Sequence, residues 1–167
     1  HVELLLFDDP EAPRPTVQFP MTRYGDVWNL YVEGVGPGQH YGYVAWGPNW
    51  EYDPDFVPGS TLGFRADVDE QGNRFNPNKL LVDPYAKVLH RDHDWGRGSA
   101  ASGPDLEEST YAAAAKGVVV QSTYEWRDTE YWEARKADTL AGHRQSDLVI
   151  YEVHVKGFSE SAASNGL

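Results

Sequence analysis

The segment RFNPNKLLVDPYAK, Arg74–Lys87, combines features that rarely occur together in one stretch of chain. Its two prolines stand seven residues apart among polar side chains, which is untypical of a plain strand. Its centre, residues 80–82, is too apolar for an ordinary exposed loop. We therefore predict that this segment is a rigid, half-buried connector between two other parts of the chain.

Composition places the chain among soluble globular proteins. Of the 167 residues, 40% are apolar, 13% aromatic and 24% charged, so a core of ordinary size is expected and disorder is not. Six Trp and ten Tyr exceed what such a core usually needs. Surplus flat rings favour a sugar-binding surface, and the alternative is a β-rich core with aromatic cross-strand pairs.

Charge narrows the classes of ligand. The formal net charge is −12, from 14 basic and 26 acidic side chains, which argues against nucleic acid and against an anionic membrane surface as partners. A neutral ligand is compatible with it. The chain has no Cys, which excludes disulfides and thiolate metal sites but leaves the compartment open. No apolar run approaches the ~20 residues needed to span a bilayer.

Short alternating segments separated by Gly/Pro turns predict antiparallel strands. In DVWNLYVEG, the side chains of residues 28, 30 and 32 share one face. In HYGYVAW, two tyrosines share one face, while Val44 and Trp46 share the other. The predicted strands are residues 2–7, 17–19, 27–33, 40–46 and 118–120. Strands of this length and spacing are typical of a β-sandwich.

A long aperiodic segment, residues 47–78, follows the strand that contains Trp46. Its aromatic residues predict an ordered loop pinned by its own rings rather than a disordered one. Trp46, Trp50 and Tyr52 flank a Gly-Pro turn and are candidate substrate-binding residues, because rings on a rigid loop can stack on glucose. The alternative is that these rings only fasten the loop to the core.

Metal and catalytic motifs are weak. Asp67, Asp69 and Gly72 match the start of a calcium-binding loop, but position twelve is Asn78 instead of Glu, so a turn is the better interpretation. Asp92 lies in a cluster of His and Asp residues whose spacing fits no standard zinc site. No phosphate-binding glycine loop is present, and no catalytic triad can be argued from spacing.

The segment DLVIYEVHVKGF, residues 147–158, has the strongest strand pattern in the sequence. Residues 149, 151, 153 and 155 form an apolar face, and the alternate residues form a polar one. One apolar face and one ionisable face are typical of a strand in an enzyme barrel, with helices outside and polar side chains inside. The charged, poorly patterned residues 129–146 before it predict a linker.

Four blocks in this order, YGYVAWGPNW, GFRADVDEQGNRFNPNKLLVDPYAK, KGVVV and DLVIYEVHVKGF, closely resemble the bacterial isoamylases. These are glycogen and starch debranching enzymes of the α-amylase superfamily. The resemblance extends from Tyr41 to Phe158 and more loosely from His1. The connector block RFNPNKLL is absent from the related branching enzymes.

The resemblance implies an immunoglobulin-like β-sandwich of the starch-binding type, residues 1–128, a linker at 129–146, and the first strand of a truncated (β/α)₈ barrel at 147–167. Arg74–Lys87 would then tie the sandwich and its long loop together near the barrel. Both chain ends look cut from a longer protein.

The same resemblance implies hydrolysis of α-1,6 branch linkages in glycogen and amylopectin by carboxylates on later barrel strands. No catalytic residue is therefore assigned within this chain. No cofactor is expected to be required, and calcium is a candidate ligand with Asp92 as one of its carboxylates. A stand-alone α-glucan-binding module without catalysis is the alternative function.

Overall fold

The structure, a computed structural model, describes residues 1–92, 94, 96, 98–125, 127–131, 133–134 and 149–154. The chain divides into two compact units, residues 1–122 and residues 123–167. Among the described residues, no helix combines the length and the apolar character that crossing a membrane requires. The domain boundaries predicted at residues 128 and 146 stay predictions.

The first unit is mainly β, as predicted. In the described part of the chain, the strands are β1 Val2–Phe7, β2 Val17–Pro20, β3 Thr22–Tyr24, β4 Val27–Asn29, β5 His40–Ala45 and β6 Gly117–Val118. A four-stranded antiparallel sheet has the order β2-β1-β5-β6, and β3 and β4 form a separate hairpin. A short 3-10 helix, Gly103–Asp105, lies between β5 and β6 in the chain.

Alternation along β1 and β5 sends one face of the sheet into the core. In the β1–β5 register, Leu5 pairs with Gly42 and Phe7 with His40, so odd residues of β1 and even residues of β5 share a face. Leu5, Phe7 and Val44 are buried there with Leu80, and this cluster also contains Trp46, Trp50, Tyr111 and Ala114. Burial of this continuous apolar cluster is the main stabilisation of the unit.

The connector predicted at Arg74–Lys87 fastens several segments to the sheet. Leu81 exchanges two backbone hydrogen bonds with Tyr43 of β5, at 2.9 and 2.7 Å, and Leu80 enters the core beside it. The Leu80 N–H also donates to the Thr110 hydroxyl at 2.9 Å. The connector therefore works as an extra pairing segment along β5, which explains its half-buried character.

Buried amides and an ammonium in the same connector hold two loops. The Asn76 side chain donates to the carbonyls of Ala101 and Leu106, and Asn78 donates to Ser60. The ammonium of Lys79 donates to three carbonyl oxygens at 2.5–2.7 Å, those of Gly98, Asp105 and Glu108. The four-residue run 76–79 thus ties the long aromatic loop to the segment around the 3-10 helix.

Two predicted strands are shorter than expected. The strand predicted over residues 27–33 ends at Asn29, because its partner β3 begins at Thr22 and the chain before it leaves to pair with β1. Residues 30–33 therefore have no strand opposite them within the hairpin. The strand predicted at residues 118–120 is β6, and only Gly117–Val118 pair with β5.

In the second unit, the predicted barrel strand at 147–158 lies partly outside the described residues. Its described part, residues 149–154, is not in a strand, and Val149 is 98% exposed. A barrel strand obtains its hydrogen bonds from neighbouring barrel strands. The assignment to a barrel stays a prediction.

Candidate functional site

The site predicted around Trp46, Trp50 and Tyr52 begins with a tight turn after β5. Gly47 and Trp50 exchange two backbone hydrogen bonds, both of 3.0 Å. Gly47 is required at this turn because the Phe75 ring occupies the space in which any side chain would have to lie. The turn separates the three aromatic residues and directs them into different surroundings.

Trp50 is fully buried at 0% exposure and belongs to the core. Its ring lies 5.0 Å from Phe64 and 6.4 Å from Phe56 in edge-to-face contacts, measured between centroids. Its indole N–H donates to the Leu62 carbonyl at 2.8 Å. Because its ring faces and N–H are all engaged, the arrangement favours the alternative that Trp50 fastens the loop.

Asn49, which the sequence analysis did not single out, fixes the loop beside Trp50. Its side-chain amide donates to the carbonyls of Phe75 and Ala66, and its side-chain oxygen accepts from the Phe75 N–H at 2.8 Å. Asn49 is 1% exposed, so these bonds are shielded from water. The loop is ordered by a buried polar contact as well as by its rings.

Trp46 is also buried, at 4% exposure, but it borders the surface. Its ring contacts Tyr52 edge-on with centroids 5.2 Å apart, and Phe56 at 5.6 Å. Trp46 therefore packs beneath the exposed ring of Tyr52. Its buried indole Nε1 donates no hydrogen bond among the described residues.

Tyr52 is the exposed member of the three, at 40% exposure. It lies in an open cleft of about 320 Å³ whose lining residues are His1, Trp46, Gly47, Pro48, Glu51, Tyr52 and Arg65. The His1 ring stacks on Tyr52 with centroids 3.6 Å apart and planes inclined by 32°. The cleft thus presents an aromatic pair at the surface, which suits the flat apolar face of a sugar ring.

Polar side chains surround this aromatic pair. Arg65 and Glu51 form an ion pair at the rim, with both side chains more than half exposed. An exposed pair of this kind adds little stability, so both groups are available to hydrogen-bond sugar hydroxyls. Beneath the rings, the buried carboxylate of Glu3 accepts a hydrogen bond from His1 at 2.9 Å, and it shares a small cavity with Tyr52.

Burial shifts the proton affinities at this site. Desolvation raises the pKa of Glu3 above its ordinary value, and the nearby Tyr52 hydroxyl opposes part of that rise. Desolvation, together with the nearby Glu3 charge, raises the pKa of Tyr52, so its hydroxyl keeps its proton. The burial of Glu3 was not predicted from the sequence, because a Glu in an alternating strand is usually assigned to the solvent-facing side.

The residues considered as metal ligands from the sequence lie in two separate segments, around Asp92 and around Asp69. Asp92 is exposed, and the described residues contain no group of three His, Asp or Glu side chains that could hold a metal ion. In the calcium-like motif, the Asp69 carboxylate accepts hydrogen bonds from Gln71 and Asn73. These bonds close a turn, which is the interpretation that the sequence favoured over a calcium-binding loop.

Comparison with known proteins places the chain in a family. Residues 1–86 match the model of carbohydrate-binding module 48, the isoamylase N-terminal domain. The mainly β fold and the surface-exposed aromatic pair fit a carbohydrate-binding module as a class. The chain belongs to the carbohydrate-binding module 48 family, which confirms the resemblance found in the sequence.

Curated relatives extend the similarity beyond the family match. The chain is 32% identical to an isoamylase from Flavobacterium sp over 96% of its length, and 40% identical to an isoamylase from Pseudomonas amyloderamosa over 83%. A glycogen debranching enzyme from Yersinia enterocolitica is 37% identical over 95% of the chain. The chain spans 21%, 17% and 20% of these three relatives, about a fifth of their lengths.

Proposed function

We propose that this chain is the α-glucan-binding N-terminal part of a debranching hydrolase that cleaves α-1,6 linkages in glycogen or amylopectin. One observation carries the proposal: similarity to isoamylases and glycogen debranching enzymes covers 83–96% of the chain, well past the module that ends at residue 86. A module that works alone has no need for the residues beyond 86 that these enzymes share with this chain.

The proposed architecture is an immunoglobulin-like β-sandwich followed by the first strand of a (β/α)₈ barrel. Two antiparallel sheets in residues 1–122 support the first part. The alternating pattern of residues 147–158 supports the second, because an apolar outer face and a polar inner face suit a barrel strand. The catalytic carboxylates would then lie on strands that follow this one.

Glucan binding by the chain is tested directly by native gel electrophoresis in gels that contain glycogen or amylopectin. We expect the chain to be retarded by both polymers and to migrate normally in gels that contain dextran at equal mass. Serum albumin serves as the non-binding control. Equal mobility with and without glycogen and amylopectin would overturn the binding part of the proposal.

The stand-alone module is the alternative, and the gene sequence around this chain distinguishes it from the hydrolase. A debranching hydrolase requires further barrel strands with three carboxylates at their carboxyl ends. Finding them downstream of residue 167 would support the hydrolase. A reading frame without them would leave a binding module.

Calcium binding at Asp92 is a further proposal from the resemblance to isoamylases. Calcium takes six to eight oxygen ligands, and the described residues contribute no acidic or His cluster beside Asp92. These residues do not by themselves fit a calcium site. No step of the proposed function depends on the metal.

A further inference from the structure

The buried carboxylate of Glu3 is the unusual group beneath the exposed aromatic pair. Glu3 lies on the core face of β1, opposite Val44, and is 5% exposed. A buried charge is costly unless hydrogen bonds replace its water. Glu3 obtains one from His1 Nε2, 2.9 Å from its Oε1, and the Tyr52 side chain lines the same small cavity.

Both side chains beside Glu3 also belong to the exposed aromatic pair. The rings of His1 and Tyr52 stack at 3.6 Å, His1 Nε2 donates to the Glu3 carboxylate, and Tyr52 lines the cavity that contains this carboxylate. Trp46 contacts both rings edge-on, at 5.4 Å from His1 and 5.2 Å from Tyr52. The orientation of the pair is therefore fixed from beneath by one indole and one carboxylate.

We propose that Glu3 is the positioning residue of the Tyr52 surface: its ionised carboxylate holds the Tyr52 and His1 rings in the orientation that stacks on an α-linked glucose. This inference rests on the proposed glucan binding. Glu3 is buried, so it acts through the two rings without touching the sugar. Rings already held in place lose little conformational entropy when the ligand arrives, which strengthens binding.

This arrangement makes binding dependent on pH. A protonated Glu3 carboxyl carries a hydrogen of its own, so it accepts the hydrogen bond from His1 only weakly. The groups that face Glu3 are the His1 imidazole, the Tyr52 hydroxyl and the Tyr111 hydroxyl, and the same small cavity is lined by Gln18 and Asp53. Glucan affinity is expected to fall as pH decreases through the raised pKa of Glu3.

Stability should follow the opposite trend for this group. Because the folded-state pKa of Glu3 is raised, the folded chain binds this proton more tightly than the unfolded chain. The contribution of Glu3 to stability is therefore full below its ordinary pKa and is lost as pH rises through the raised pKa. A positioning role thus predicts that binding and stability respond to Glu3 in opposite directions.

The test is calorimetric titration of the 167-residue chain with maltoheptaose from about pH 4.5 to 8, beside thermal melts. We expect the affinity of the unmodified chain to fall at the acid end. Glu3→Gln should bind about fivefold more weakly near pH 7.5, because charge-assisted hydrogen bonds are roughly twice as strong as neutral ones. Its affinity should be independent of pH, and its melting temperature near pH 7.5 should not fall.

Tyr52→Phe keeps the ring and removes only its hydroxyl, so it should retain the transition, because His1 still donates to the Glu3 carboxylate. His1→Gln keeps a donor to Glu3 without an imidazole, and it should retain the transition. A transition that disappears in His1→Gln but persists in Glu3→Gln would assign the effect to the imidazole and overturn the proposal. A lowered melting temperature of Glu3→Gln with an unchanged affinity profile would also overturn it, since that is a purely structural role.

A second measurement separates this proposal from glucan binding itself. NMR resonances of the Tyr52 ring report its position relative to the His1 and Trp46 rings without any ligand. They should shift with the Glu3 transition in the unmodified chain and stay constant with pH in Glu3→Gln. If the chain binds no glucan but the ring still follows Glu3, the proposed function fails while the positioning of Tyr52 holds. Tyr52 resonances that do not change with the ionisation of Glu3 would overturn the proposed positioning role.

Discussion

Trp50 and Tyr52 lie two residues apart in one loop and differ in their surroundings. Trp50 has every ring contact inside the protein, whereas Tyr52 keeps 40% of its surface exposed. A substitution at Trp50 should therefore act on the free energy of unfolding, and a substitution at Tyr52 should act on glucan affinity. This difference can be tested at single-residue resolution.

Trp50→Ala should lower the free energy of unfolding by ~3–5 kcal/mol, the usual cost of truncating a large buried aromatic side chain. The lost hydrogen bond to Leu62 contributes to this cost. Urea denaturation measures it, with Tyr31→Ala as the matched control because the Tyr31 ring is exposed. A stable Trp50→Ala variant with weakened maltoheptaose binding would contradict this prediction and would assign Trp50 to the binding surface.

Lys116 provides a test of stability against pH. Its buried ammonium donates to the carbonyls of Pro10, Tyr111 and Ala114, and lies 4.6 Å from the centre of the Phe7 ring. Burial is the main cause that lowers its pKa from 10.5 to about 8. Between these two values the unfolded chain binds more protons, so stability should rise with pH across this interval.

Lys116→Met should remove that rise, because the methionine side chain does not titrate. We expect the unmodified chain to gain on the order of 1–3 kcal/mol between about pH 7.5 and 10 relative to Lys116→Met. Urea denaturation at both pH values measures the difference. Lys87→Met, a change at an exposed lysine, is the control and should keep the rise. An identical pH dependence in both variants would contradict the prediction.

Single residues set a limit on what sequence alone can predict. Aromatic residues in the long loop correctly predicted that it is ordered, because rings are rarely left in water in such numbers. Asn49 and Asn78 were not predictable as buried, since Asn in a Pro/Gly-rich segment usually faces solvent. Their burial depends on carbonyl partners such as Ala66 and Ser60, which only the folded chain brings near.

At the scale of elements, strands with strict alternation were predictable and strands defined by their partner were not. The pattern in β1 and β5 is sufficient, because each places alternate apolar side chains against one core. β3 is polar and exposed along its length, so its pairing with β4 leaves no apolar signal. The end of β4 at Asn29 is set by where β3 begins.

The apolar segment of the second unit gives a prediction at the same scale. Val149, Ile150 and Tyr151 are 98%, 82% and 78% exposed. An exposed, unpaired segment of high strand propensity is a template for association between chains. A chain shortened after Gln145 should give a higher yield of monomer in size-exclusion chromatography. Equal light scattering from the short and the long chain at matched concentration would contradict this.

At the scale of the whole molecule, we expect the 167-residue chain to bind glucan without hydrolysing it. The proposed catalytic carboxylates belong to barrel strands that follow residue 158, and glycoside hydrolysis needs a correctly spaced pair of them. Incubation with amylopectin and an assay of reducing ends measures the activity, with boiled chain as the control. Release well above that control would place a catalytic centre within these residues.

The order of strands in the main sheet also determines when the unit can fold during synthesis. β1 pairs with β5, residue 2 opposite residue 45, and β5 in turn pairs with β6 at residues 117 and 118. At about 5–20 residues per second, roughly 6–23 s of translation separate β1 from β6. During that interval the apolar residues of β1 have been synthesised, but the sheet that buries them is incomplete. Such non-local pairing is typical of slow-folding proteins, and it makes the nascent chain a candidate client for ribosome-associated chaperones.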